Sequence, residues 1–153
     1  MRSFPLLSTL TLCAFTALAP LPSFAAGSED GSSDTASVAT YEQAKAAVYV
    51  GKFADARVML VAITKAEPKN ADAWNLLGFS SRKTGDLKAA GKAYTKALNL
   101  NPGHLGALEY QGEMYLQLGQ ADKAKANLAT LKGLCGTCEE MRDLEKALKA
   151  AGV

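Results

Sequence analysis

The chain has 153 residues, of which 48% are hydrophobic, 21% charged and only 7% aromatic, with 13 Gly, 5 Pro and 3 Cys. That balance suits one small globular domain and excludes a multidomain enzyme. Seventeen basic against fifteen acidic side chains leave a net charge of +2, too little for a nucleic-acid partner held by phosphate electrostatics. One His and no cluster of acidic or Cys ligands supply too few parts for a hydrolase triad or a self-contained zinc site, so no cofactor, metal site or enzymatic activity is expected.

Met1-Arg2, an apolar run from Leu6 to Ala19, then Pro20, Pro22 and Ser23-Phe24-Ala25 read as a signal peptide over residues 1–25, cleaved after Ala25. The run is shorter than the roughly 20 residues that span a bilayer, so no membrane anchor is expected after cleavage. Cys13 lies mid-run behind Leu12 rather than at the cleavage site, which speaks against lipidation. The remaining 128 residues carry 16 basic and 15 acidic side chains, so charge alone names no partner. Residues 26–36 contain Gly27-Ser28-Glu29-Asp30-Gly31-Ser32-Ser33-Asp34 and no apolar periodicity, the composition of a flexible linker.

An internal repeat organises the rest. A step of 34 residues aligns Gly51, Gly85 and Gly119; Ala56, Ala90 and Ala124; Leu60, Tyr94 and Leu128; Ile63, Ala97 and Leu131; Pro68, Pro102 and Gly136. Self-similarity at that period marks stacked supersecondary units, each unable to cover its own apolar face. The middle unit is the fullest, with Trp74, Leu77, Gly78, Ala90, Tyr94, Ala97 and Pro102 in the spacing W-x2-L-G, then A-x3-aromatic-x2-A-x4-P. In this it resembles the tetratricopeptide repeat (TPR) family, with copies at 37–70, 71–104 and 105–138. Ser81 stands where the family has an aromatic, Leu108 replaces the third copy's Trp, and the first copy's opening helix matches least well.

Each copy predicts two helices broken at its glycine. In the second helix of the middle copy, Ala90, Ala93, Tyr94 and Ala97 share a packing face, while Lys88, Lys92 and Lys96 form a solvated row. Asp86 is placed to cap that helix, and Asn101-Pro102 to open the next. After the third copy, Thr137-Cys138-Glu139-Glu140 spells a capping box, followed by Met141, Leu144, Ala147 and Leu148 at helical spacing. Residues 139–153 are thus expected to form a helix sealing the stack, with Arg142, Asp143, Lys146 and Lys149 facing water. The alternative is that Met141, Leu144 and Leu148 dock a partner.

The resemblance implies an all-α solenoid of three TPR helix pairs plus a capping helix. It also implies a non-enzymatic scaffold that binds a peptide or protein partner in a concave groove lined by the first helices. The positions it assigns to that groove are Tyr41, Lys45, Tyr49, Asn75, Phe79, Arg82, Glu109, Tyr110 and Glu113, a mixed aromatic and charged set. Glu109 and Glu113 lie one turn apart, and an ion pair of either with Arg82 is the purely structural alternative. Related eukaryotic co-chaperones clamp a terminal carboxylate with Lys, Asn and Arg. The corresponding positions here hold Tyr41, Lys45, Leu76, Gly106 and Tyr110, so that clamp is absent.

Cys135-Gly136-Thr137-Cys138 is the remaining constellation with chemical potential. In an exported protein a structural disulfide is the leading reading, but the C-x-x-C spacing leaves open a redox-active pair or a soft-metal site, the rival function class. Covalent haem attachment needs His after the second Cys, where this chain has Glu139, and His104 alone cannot complete a zinc site. The expected location is the periplasm of a Gram-negative bacterium or a comparable oxidising compartment.

Overall fold

A computed structural model of the chain describes residues 39–153. The expected signal peptide, the linker and the first two residues of the first copy lie outside the described residues. Among those described there are seven helices and no strand: α1 Tyr41–Tyr49, α2 Phe53–Ala66, α3 Ala71–Lys83, α4 Leu87–Leu100, α5 Leu105–Gln117, α6 Ala121–Cys135 and α7 Glu139–Ala150. They pair as α1/α2, α3/α4 and α5/α6, with each first helix also touching the first helix of the next pair. In this succession α7 packs on α5 and α6, where the first helix of a fourth pair would stand.

Within a pair the chain reverses at Gly51, Gly85 and Gly119, whose φ values are 75, 86 and 69°. A Cβ is disfavoured in that left-handed region, which is why glycine recurs at the 34-residue step. The packing side is set by small residues. Ala44, Ala56, Ala73, Ala90, Ala93, Ala97, Ala107 and Ala124 are buried, and Tyr94, Leu60, Leu131 and Leu144 fill the space between helices. Gly78 and Gly112, one period apart, permit the closest approaches. A Cβ on Gly78 would meet Tyr94 ring carbons at 2.6 Å, and one on Gly112 would meet Leu144 Cδ2 at 2.6 Å. Lys88, Lys92 and Lys96 are solvent-exposed, as their spacing requires.

Local capping is legible at most helix starts. Thr40 and Gln43 form a reciprocal capping box at α1. Asn70 Oδ1 and Asp86 Oδ1 each accept from a backbone N–H three residues on, at 2.9 Å, and each such cap contributes about 1 kcal/mol. Two expected caps are corrected. Asn101 ends α4 rather than opening α5. The α5 cap is His104, one period after Asn70, and its Nδ1 accepts from Ala107 N at 3.2 Å. Nor is there a capping box at Thr137. Cys138 is the N-cap of α7, and no side chain caps the helix. The physical reason is a disulfide between Cys135 and Cys138, which ties the last residue of α6 to the first corner of α7 and moves the helix start one residue on. Thr137 contributes its carbonyl instead, accepting from Arg142 Nη1 at 2.6 Å.

Met141, Leu144 and Leu148 are buried in one cluster with Leu108, Ala124 and Leu131. They are consumed by the fold and are not free to dock a partner. Arg142, Asp143, Lys146 and Lys149 point to water, the arrangement a terminal cap needs. The disulfide closes a loop of only four residues, so the paired change Cys135→Ser and Cys138→Ser is expected to lower stability by about 2 kcal/mol in the chain-entropy model. Urea denaturation of the two forms checks this, with helical content unchanged in the native state.

Candidate functional site

α1, the start of α2, α3 and α5 converge on a cleft of about 330 Å³ lined by Tyr41, Lys45, Val48, Tyr49, Phe53, Leu76, Phe79, Lys83 and Tyr110. An aromatic row forms one wall. Phe53 meets Phe79 edge-on with ring centroids 5.7 Å apart, and Phe79 lies 4.7 Å from Tyr110 at a tilt of 49°. Lys83 Nζ stands 5.3 Å from the Phe79 centroid and 5.9 Å from that of Phe53, so the row carries a cation at its edge. Lys83 has no carboxylate within ion-pair distance among the described residues, and Lys45 has only the exposed Glu42 at 4.0 Å. Burial, the main cause in each case, pushes the Tyr41 and Tyr110 phenols up to about 12. Both therefore stay neutral hydrogen-bonding groups at the edge of an apolar floor.

Five of the nine groove positions expected from sequence line this cleft: Tyr41, Lys45, Tyr49, Phe79 and Tyr110. The other four lie elsewhere. Asn75 is buried against Gly106 of the next first helix. Arg82 is buried beneath the aromatic row, its guanidinium 5.5 Å from the Phe79 centroid and 5.9 Å from that of Tyr110, and it is ion-paired with Glu113. The structural alternative for the Arg82–Glu113 pair is the one observed. Removing Glu113 would leave the Arg82 charge in a poorly solvated place, whereas Glu113 itself is 28% exposed and lines with Arg82 and Lys83 a shallow depression toward α7, beside the cleft.

Glu109 is also buried, on α5 within electrostatic reach of Glu140 and Asp143 of α7. Burial first, then the charges of Glu113, Asp143 and Glu140, raise its carboxyl from 4.5 to about 8, against a smaller lowering by Arg82. The unfolded chain releases this proton near pH 4.5 while the folded chain keeps it to about pH 8. Stability therefore falls as pH rises across that window, by at most about 1.4 kcal/mol per pH unit, and then levels off. Glu109→Gln is expected to remove this slope and to stabilise the protein most at pH 8. Urea midpoints of the two proteins at pH 5, 6.5 and 8 check it.

Sequence reasoning missed Val48, Phe53, Leu76 and Lys83. The repeat names two of them, because a step of 34 from Tyr49 gives Lys83 and a step back from Tyr110 gives Leu76. Phe53 was hidden because it belongs to a second helix. It reaches the cleft because the Gly51 turn sets the first residue of α2 beside the end of α1. The pair Cys135 and Cys138 stands apart from the cleft, with both sulfurs committed to one another. Among the described residues no group of three or more His, Cys, Asp or Glu stands together as a metal site.

A family model described as "Tetratricopeptide repeat" matches residues 41–104 and 80–131. The chain belongs to the tetratricopeptide repeat family, a fold that binds other proteins. Its sequence matches no curated protein. Solved structures share the fold. The MamA RS-1 ArsTM double mutant is 22% identical, over 61% of this chain and 53% of that one, with a TM-score of 0.59. The first TPR of Spaghetti (RPAP3) bound to HSP90 peptide SRMEEVD is 18% identical, over 73% and 90%, with a TM-score of 0.65. The P58(IPK) TPR domain is 24% identical, over 72% and 31%, with a TM-score of 0.63. The chain thus spans about half of the first of these proteins and about a third of the last.

Proposed function

We propose that this protein is a non-enzymatic scaffold of an oxidising compartment such as the bacterial periplasm, and that it holds an extended segment of a partner protein in the cleft between α1, α3 and α5. One observation carries the reading: a row of Phe53, Phe79 and Tyr110 edged by Lys45 and Lys83. An apolar floor with cations at its edge fits a bulky apolar side chain flanked by carboxylates. The Spaghetti TPR holds a peptide with three acidic residues. Here Tyr41, Gly106 and Tyr110 stand where the co-chaperone clamp has its cations, and Lys45 and Leu76 stand where it has Asn. Anchoring therefore shifts from the terminal carboxylate to an apolar residue. Export is supported by the leader-like residues 1–25 and by the disulfide, which persists in oxidising compartments.

The test is selection from a displayed random-peptide library on the purified protein. Enriched peptides are expected to share a large apolar residue within two positions of Asp or Glu, with affinity that weakens as salt is raised. Enrichment of basic peptides, or none at all, contradicts the reading.

A further inference from the structure

The outward face of α2 differs from that of its repeats. Ala54, Val58, Val61 and Ala62 are all exposed, with Val58 at 74% and Val61 at 40%. One period on, the same positions of α4 hold Lys88, Lys92, Thr95 and Lys96, and all four are exposed. On α6 they hold Asp122, Ala126, Ala129 and Thr130. Only the first copy thus presents valines where a solenoid's second helix normally meets water. A shallow furrow lined by Ala54, Arg57, Val58, Val61 and Thr84 runs beside them. Its polar edge is already satisfied, since Arg57 Nη2 pairs with Asp86 Oδ2 at 2.8 Å.

Charges of opposite sign stand at the two ends of this stripe, Asp55 on its flank. Asp55 lies at the start of α2 and Lys65 one turn beyond Val61. Both are exposed, and neither has an ion-pair partner among the described residues. Ten residues separate them, about 15 Å of helix, and their midpoint falls between Val58 and Val61. We propose that a second copy of this chain docks on this face with its α2 antiparallel to the first. Val58 then packs on Val61 of the other copy, and Asp55 meets Lys65 of the other copy twice over. Helix dipoles oppose in the same geometry. A stable pair buries about 800 Å² on each partner. One helix face offers less, so the dimer is weak and depends on concentration. The buried side of α2, with Ala56, Leu60 and Ile63, is untouched by this docking.

Sedimentation equilibrium of the protein purified from the cells that make it, from micromolar to millimolar, tests the inference. Wild type is expected to pass from monomer to dimer. Val58→Asp with Val61→Asp is expected to weaken the dimer about tenfold or more, with unchanged helical content because both sites are exposed. Asp55→Lys and Lys65→Asp should each weaken it by setting like charges opposite one another, and the double swap Asp55→Lys/Lys65→Asp should restore it. A wild type that stays monomeric at millimolar concentration overturns the proposal. So does a dimer indifferent to the valine changes, or a double swap that fails to restore pairing; in those cases a partner protein or residues 26–38 become the occupant to seek.

Discussion

Tyr94→Ala is expected to cost about 3–5 kcal/mol of folding stability, the range for deleting a fully buried large aromatic. Tyr94 is completely inaccessible and packs with Ala90 and Met114, with Leu87, Tyr110 and Tyr115 around them. It therefore joins the second and third helix pairs. Each pair is stabilised mainly by its neighbours, so the hole also weakens what lies on either side. The complementary change is Gly78→Ala, whose new methyl would sit 2.6 Å from the Tyr94 ring. It is expected to cost about 1–3 kcal/mol through overpacking. Urea denaturation checks both, with a lower midpoint at unchanged slope for each variant. A Tyr94→Ala protein within about 1 kcal/mol of wild type would mean that the packing described for α3 and α4 is wrong.

Phe79→Ala combined with Tyr110→Ala is expected to weaken binding of library-selected peptides by about 100-fold or more, because aromatic anchors in a central pocket dominate such interfaces. These two rings form the closest aromatic pair in the cleft, 4.7 Å apart, and belong to different repeats, so the double change removes the wall shared by both. Arg82 is deliberately left intact. It is buried and paired with Glu113, and its loss would confound binding with stability. Lys83→Glu supplies the electrostatic counterpart, since reversing the unpaired cation should weaken acidic peptides most at low salt. Isothermal titration with one selected peptide separates these outcomes from misfolding, provided that circular dichroism stays unchanged.

Much of the fold was legible because the 34-residue step fixes both the positions that must be small and the turns that must be glycine. Gly51, Gly85 and Gly119 mark turns whose left-handed backbone leaves few alternatives, and the face carrying Ala90, Ala93, Tyr94 and Ala97 follows from helical period alone. What failed was local detail decided by covalent or tertiary context. The Cys135–Cys138 bond overrides the capping signal at Thr137. His104, not Asn101, caps α5, at the position one period after the α3 cap Asn70. In the candidate site the helical face was readable but its depth was not. Asn75, Arg82 and Glu109 share a face with true cleft residues yet are covered by the neighbouring helices, which no single-helix pattern reveals.

The most direct measurement is photo-cross-linking in the cells that make the protein, with a benzophenone amino acid placed either at Tyr49, on the open edge of the cleft and 79% exposed, or at Lys92 on the outward row of α4. Adducts to a defined partner segment from Tyr49, none from Lys92, and loss of the Tyr49 adduct when Phe79→Ala and Tyr110→Ala are added are the predicted results. Adducts from Lys92 alone, or a Tyr49 adduct that survives loss of both rings, would contradict the assignment of the cleft as the binding site.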